Sequence, residues 1–118
     1  MILRALPLLA ATAAAAEEPL IPRFVEETEA AGIAAAYAGD WPWFVGGGVA
    51  AFDCSGDGFP DLAFAGGEAP ASLWVNRSGQ GGPLRFEGAA AGIEVDRVTG
   101  LYPLDVDGDD LLDLVLLR

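Results

Sequence analysis

The chain of 118 residues contains no histidine and no lysine, and it has a single cysteine, Cys54. The absence of histidine excludes Ser-His-Asp and Cys-His catalysis and the common histidine-containing zinc sites. One cysteine excludes an intrachain disulfide. Six arginines against 18 acidic residues give a formal net charge of −12. This charge argues against nucleic acid or an anionic membrane as a partner, because both would repel the chain.

The first 16 residues have the pattern of a secretory signal peptide. Arg4 supplies a short positive region, residues 3–15 are apolar, and residues 14–16 offer a small-residue cleavage site before Glu17. A membrane anchor or a core helix is the alternative, but a membrane span needs about 20 apolar residues. We therefore expect export to the extracellular space or the periplasm, with no membrane span after cleavage.

Residues 17–48 are predicted to form a lead-in with one strand and an aromatic loop. Residues 23–27 alternate in polarity and predict the strand, and the alanine-rich residues 28–37 predict a short helical turn limited by Gly32. The loop at 40–44 contains two tryptophans and a phenylalanine. Packing among the rings is the simpler explanation for this loop, and an exposed tryptophan pair that stacks on a sugar is the alternative.

Beyond the lead-in, short apolar runs separated by turn residues predict strands. These runs are 49–52, 62–65, 72–76, 84–87, 100–104 and 114–117. Two Asp-rich loops, 53–61 and 105–113, begin 52 residues apart, and Ala-Ala-Gly-Ile occurs at both 30–33 and 90–93. A repeat near 50 residues with about four short strands is typical of propeller blades.

The predicted fold class is therefore all-β, a partial β-propeller of about one and a half antiparallel blades. The predicted first repeat covers residues 49–99, and a truncated second repeat covers 100–118. Propellers close with four to eight blades. We therefore expect the remaining blades to lie outside this chain, which would make it a fragment of a longer protein or a truncated gene.

Each Asp-rich loop carries oxygen-bearing side chains at loop positions 1, 3, 5 and 9. They are Asp53, Ser55, Asp57 and Asp61 in the first loop, and Asp105, Asp107, Asp109 and Asp113 in the second. Carboxylates that converge repel each other unless a cation lies between them. Oxygen-only ligands favour Ca²⁺ over zinc or copper. The backbone carbonyl at position 7, from Phe59 or Leu111, would complete each set. Hairpin turns closed by Asx hydrogen bonds, without metal, are the alternative.

The flanking residues distinguish these loops from an EF-hand, which needs an acid at position 12 and a helix on each side. Position 12 is Phe64 in the first loop and Leu116 in the second, and both flanks are short and β-prone. Ser55 at position 3 predicts a weaker first site. Asp110 stands at position 6, where a positive φ is often needed. Cys54 is predicted to point away from the ligands as an unreactive thiol.

Several stretches carry a family resemblance. Residues 57–62 and 105–114 resemble the FG-GAP/VCBS repeats of integrin α-chain-like β-propellers. Residues 73–76, Phe86 and residues 91–93 together resemble the exported subgroup similar to cartilage acidic protein and the ASPIC/UnbV proteins, although the ASPIC/UnbV tail is absent. The resemblance implies a calcium-stabilised propeller that binds extracellular proteins or glycans and has no enzymatic activity. The ligands that it implies are the ten residues named above.

Two other functions remain open at this point. One is an accessory or catalytic part of an extracellular hydrolase, and the other is a non-functional gene fragment. A cleft that places Glu68 or Glu94 against another acid, away from the loops, would favour the hydrolase. Asn76-Arg77-Ser78 also matches a glycosylation acceptor, but a turn asparagine at a strand end is the preferred interpretation.

Overall fold

The computed structural model describes residues 20–118, so the predicted signal peptide lies outside the described residues. In this part of the chain there are one 3-10 helix, Trp41–Trp43, and six strands. The strands are β1 Val49–Phe52, β2 Asp61–Phe64, β3 Ser72–Asn76, β4 Phe86–Ala89, β5 Gly100–Leu104 and β6 Asp113–Leu117. Strands β1 to β4 form one antiparallel sheet in sequence order, and β5 pairs with β6 in a second sheet. This is the arrangement of one propeller blade and one further hairpin, so the all-β prediction is confirmed.

The two Asp-rich loops join strands in the same register. Phe52, the last residue of β1, pairs with Asp61, the first residue of β2. In the same way Leu104, the last residue of β5, pairs with Asp113, the first residue of β6. Each loop is therefore bounded by a strand pair rather than by helices, and within residues 20–118 there is no α-helix. The EF-hand is thus excluded, and loop position 9 is the first residue of the returning strand in both hairpins.

The core lies between the two sheets, where β5 packs against β1 and β2. Small side chains on β1 and β2 let the sheets approach closely, and Val98 and Leu101 fill the space from the other side. The buried apolar residues of this cluster are Ala50, Phe52, Ala63, Ala65, Ala71, Leu73, Val75, Val98 and Leu101. A hydrogen bond of 3.3 Å from Gly48 N to Thr99 O joins the two sheets at one end.

The strand expected at residues 23–27 is not formed. Phe24 is 97% exposed and Val25 is 74% exposed, and the segment pairs with no strand of the structure. Alternating polarity stabilises a strand only where a neighbouring strand takes its backbone hydrogen bonds, and here none does. The helical turn that follows is present, since Ile33 N donates to Thr28 O at 3.0 Å and Gly32 ends the turn at φ +84°.

The aromatic loop contains the 3-10 helix, and its rings pack on each other as predicted. The rings of Trp41 and Phe44 are stacked with centroids 5.5 Å apart, yet these residues are 81% and 77% exposed. No helix within residues 20–118 has the length and apolar character needed to cross a membrane.

Candidate functional site

The first Asp-rich loop is held in shape by the side chain at its first position. Asp53 Oδ1 accepts hydrogen bonds from Gly56 N at 2.7 Å and Asp57 N at 3.2 Å, and its Oδ2 accepts one from Gly58 N at 2.8 Å. Asp57 Oδ1 in turn accepts a hydrogen bond from Phe59 N at 2.9 Å. These Asx-type bonds fold the backbone around the acidic side chains.

The second loop repeats these contacts position by position. Asp105 Oδ1 accepts from Gly108 N at 2.7 Å and Asp109 N at 3.2 Å, and its Oδ2 accepts from Asp110 N at 3.1 Å. Asp109 Oδ1 accepts from Leu111 N at 2.9 Å. The two loops therefore share one conformation, as their sequence spacing predicted.

Position 6 of each loop has a positive φ, which is +85° at Gly58 and +67° at Asp110. The prediction that Asp110 occupies this conformation is confirmed. Aspartate tolerates the left-handed region better than most residues, but less well than glycine. The second loop therefore carries a local strain that the first loop avoids.

The second loop also gathers its carboxylates. Asp105, Asp107 and Asp109 are exposed, and each offers one oxygen within 4.8 Å of the others. Hard oxygen donors at this spacing fit a calcium ion. In the first loop, position 3 is Ser55, whose hydroxyl lies 3.5 Å from Asp53 Oδ1. The second loop therefore has the denser negative charge.

Position 9 differs between the two loops. Asp61 is fully buried, and its Oδ1 accepts from Asn76 N on β3 at 2.7 Å. Its Oδ2 accepts from Cys54 N at 3.0 Å and Ser55 N at 2.9 Å. The Asp61 carboxylate thus ties the start of the loop to the neighbouring strand, a structural role that the sequence reading did not foresee.

The equivalent Asp113 is exposed, and its Oδ2 accepts from Val106 N at 3.0 Å. Asp113 does not belong to the group formed by Asp105, Asp107 and Asp109. The structure thus brings the side chains at positions 1, 3 and 5 of the second loop together. The side chain at position 9 instead accepts a hydrogen bond from the loop backbone at Val106.

A protein-family comparison matches residues 53–116 to the FG-GAP-like repeat. The chain belongs to the FG-GAP-like repeat family. The match begins at the first residue of the first Asp-rich loop and ends within β6, so it includes both loops and the sheet between them. Searches of curated proteins and of solved structures each found no match.

The lone thiol of this FG-GAP-like repeat does not point away from the acidic side chains as predicted. Cys54 Sγ lies 3.0 Å from Asp61 Oδ2 and donates to it. Cys54 remains exposed, and its backbone N–H donates to the same carboxylate oxygen. Partial burial, the hydrogen bond to Asp61 and the nearby negative charges raise the pKa of Cys54 to about 11. The prediction of an unreactive thiol therefore agrees with its surroundings.

The Asp61 carboxyl is held in its ionised form. Burial alone would raise its pKa, but the hydrogen bonds from Asn76 N, the Cys54 thiol, Ser55 N and Cys54 N outweigh burial. The net effect lowers the pKa of Asp61 below its ordinary value. A buried carboxylate with several donors is therefore part of the framework of the first loop.

Asn76 of the FG-GAP-like repeat is the last residue of β3, and its side chain closes a turn, as in the preferred interpretation of the sequence. The side chain is 5% exposed, its Nδ2 donates to Pro60 O at 3.0 Å, and its Oδ1 accepts from Ser78 N at 2.9 Å. Both ends of the amide are thus used in hydrogen bonds inside the fold.

A cleft of about 380 Å³ lies at the end of the four-stranded sheet opposite the Asp-rich loops. Its lining residues are Trp43, Glu68, Asp96 and Arg97. The cleft thus has Glu68 and a second acid, Asp96, among its lining residues, away from the Asp-rich loops. Glu94 is not among the lining residues, and its Oε1 accepts from Ala91 N at 2.9 Å. No sequence motif marks Asp96 or Arg97, because the cleft joins residues far apart in the chain.

Proposed function

We propose that this FG-GAP-like repeat is an exported calcium-binding module that mediates adhesion or interaction with an extracellular protein or glycan. The observation that carries the metal part of the proposal is the convergence of the Asp105, Asp107 and Asp109 carboxylates within 4.8 Å. An integrin α-like propeller of the subgroup similar to cartilage acidic protein and the ASPIC/UnbV proteins is the proposed context.

Electrostatics support a cation at the second loop. Within residues 20–118 the ion pair found is Arg77 with Glu87, at 3.4 Å, and it lies outside both loops. Among the described residues, the carboxylates of the second loop thus have backbone N–H donors but no cationic side chain to offset their repulsion. Like charges this close are unfavourable unless a cation lies between them.

The proposed ligands at the second loop are the side chains of Asp105, Asp107, Asp109 and Asp113 and the carbonyl of Leu111. At the first loop they are the side chains of Asp53, Ser55, Asp57 and Asp61 and the carbonyl of Phe59. Bound calcium would neutralise the carboxylates and fix each hairpin, a structural role. The first site is proposed to be weaker, because Ser55 brings no charge and the Asp61 oxygens already accept backbone hydrogen bonds.

Export and further blades are parts of the same proposal. Weak calcium sites suit an exported module, because calcium is plentiful outside cells. The outer face of the second sheet is apolar and exposed, with Tyr102 at 51%, Leu104 at 53%, Val115 at 39% and Leu117 at 54%. An apolar sheet face of this kind supports packing against a further blade.

The cleft with Glu68 and Asp96 supports a second candidate function, part of an extracellular hydrolase. Glycoside hydrolysis needs one carboxyl that donates a proton and a second that acts as base or nucleophile. Glu68 Oε1 instead accepts the indole N–H of Trp43 at 3.0 Å. This contact ties one oxygen of Glu68 to the Trp43 indole, and we therefore propose a binding module without enzymatic activity.

Calorimetric calcium titration of the chain tests the metal proposal. We expect at least one calcium site in the wild type and at least about a tenfold loss of affinity in Asp109→Ala. Asp40→Ala is the matched control, because it removes an exposed carboxylate outside both loops. The proposal fails if the wild type shows no binding heat, or if the two variants lose affinity equally.

A further inference from the structure

The cleft is built around Gly67, where three segments distant in sequence meet. Glu68 N donates to Ala38 O at 2.9 Å, Gly67 N donates to Val98 O at 3.0 Å, and Arg97 N donates to Gly67 O at 2.7 Å. Gly67 has φ +65°, and an added Cβ would collide with the carbonyl oxygen of Ala38. Glycine is thus required here, and the bonds it makes place Glu68 and Arg97 at one cleft.

The aromatic wall of this cleft is fixed in place. Trp43 Nε1 donates to Glu68 Oε1 at 3.0 Å, across 25 residues of sequence. The backbone of Gly39 lies so close to the indole that a Cβ there would collide with it. A ring held by a hydrogen bond and by backbone contact needs little further ordering when a ligand stacks on it.

A second aromatic surface lies beside Trp43 in the sequence, in the stacked and exposed pair Trp41 and Phe44. Large aromatic side chains this exposed are unusual on a protein surface and are typical of recognition sites. The aromatic loop therefore presents exposed rings in addition to the Trp43 ring that lines the cleft.

The lining groups define the chemistry of the ligand. The carboxylates of Glu68 and Asp96 accept hydrogen bonds, and the planar guanidinium of Arg97 donates them. The indole of Trp43 offers an apolar face. The two carboxylates outweigh the single guanidinium, so the cleft disfavours an anionic ligand. A neutral ring with several hydroxyl groups uses the donors, the acceptors and the aromatic face together.

We propose that this cleft binds a neutral saccharide, with the sugar stacked on Trp43 and its hydroxyls bonded to Glu68, Asp96 and Arg97. A volume of about 380 Å³ is within the range of small-ligand sites. This inference deepens the glycan part of the proposed function and is independent of its calcium part, since the cleft and the Asp-rich loops lie at opposite ends of the sheet.

The test is titration of the chain with neutral sugars, in which binding is measured by tryptophan fluorescence and by calorimetry. The probes are glucose, galactose, mannose and N-acetylglucosamine, each as the monosaccharide and as a short oligosaccharide. The experiment is run in calcium and again in chelator, and we expect one of the probes to bind in both. Loss of calcium binding with retained sugar binding would thus separate the two proposals.

Arg97→Gly is the decisive variant, because it removes the guanidinium at a residue with φ +67°, where glycine is favoured. We expect normal folding and at least about a tenfold loss of sugar affinity. Arg85→Gln is the matched control, since Arg85 is exposed and lies in the β3–β4 connection, at the loop end of the sheet. We expect Arg85→Gln to bind like the wild type.

Several results would overturn the inference. One is that no probe binds more tightly than a Kd of about 1 mM. Another is unchanged affinity in Arg97→Gly, which would place the sugar outside the cleft. Binding of peptides but of no sugar would assign the surface to a protein partner. Release of reducing ends from an oligosaccharide probe would replace simple binding by hydrolysis.

Discussion

Replacing Asp61 by asparagine is expected to destabilise the chain much more than the same replacement at Asp113. The two residues occupy the same loop position and begin equivalent strands. Asp61 is fully buried and accepts hydrogen bonds from the backbone N–H groups of Asn76, Cys54 and Ser55 and from the Cys54 thiol. Asp113 is exposed and accepts one hydrogen bond from a backbone N–H.

The magnitude follows from these contacts. Asparagine keeps one acceptor oxygen, and its amide nitrogen must then face a donor that the carboxylate had satisfied. A hydrogen bond to a charged group contributes about 1.5–3 kcal/mol, and a buried donor left without a partner costs about 1–3 kcal/mol. We therefore expect Asp61→Asn to lower the free energy of unfolding by about 3 kcal/mol. For Asp113→Asn we expect about 0.5 kcal/mol or less, because water can replace the lost partner.

Urea denaturation of both variants and the wild type, in chelator at pH 7, measures this difference. The chelator removes any contribution from bound metal, so only the hydrogen bonds are compared. Equal losses of stability at the two positions would refute the conclusion that the hydrogen bonds of the buried Asp61 carboxylate stabilise the fold.

Three further predictions concern the same loops. Because the folded-state pKa of Asp61 is lowered, its carboxylate stabilises the fold above the unfolded pKa of about 3.9, and this contribution is lost as the pH falls through the folded pKa. The stability gap between wild type and Asp61→Asn should therefore shrink from pH 5 to pH 3 in urea titrations; a constant gap would contradict this. With its pKa raised to about 11, Cys54 should react with iodoacetamide at least about tenfold more slowly in the folded chain than in urea, measured by mass spectrometry. Asp110→Gly should raise the free energy of unfolding by about 0.5–1 kcal/mol, whereas Gly58→Ala should lower it by a similar amount. Thermal melts of both variants and the wild type in chelator measure these changes, and a loss of stability in Asp110→Gly would contradict the prediction.

The sequence predicted the parts of the fold that depend on local pattern. The bounds of β1, β3 and β5 were predicted as observed, because turn residues delimit each apolar run. β4 begins two residues later than predicted, at Phe86, because its pairing with β3 starts at Asn76. The equivalence of the two loops followed from their spacing, and the positive φ of Asp110 followed from its place at loop position 6.

The parts that were not predicted depend on contacts between distant residues. The buried Asp61 accepts a hydrogen bond from Asn76, which lies 15 residues away on β3, and a second one from the thiol of Cys54. The segment 23–27 has the polarity of a strand but no partner strand within residues 20–118. The cleft depends on Gly67, which joins residue 38 to residues 97 and 98, and no local motif marks this meeting point.

The most direct measurement of the central claim is the melting temperature of the chain in calcium and in chelator. Saturating calcium at about 100 times its Kd would add about 2.7 kcal/mol of stability, which raises the melting temperature of a domain of this size by roughly 10 °C or more. Asp109→Ala should abolish most of this increase, and Asp40→Ala should retain it. Identical wild-type melting curves in calcium and in chelator would contradict a structural role for calcium in this FG-GAP-like repeat.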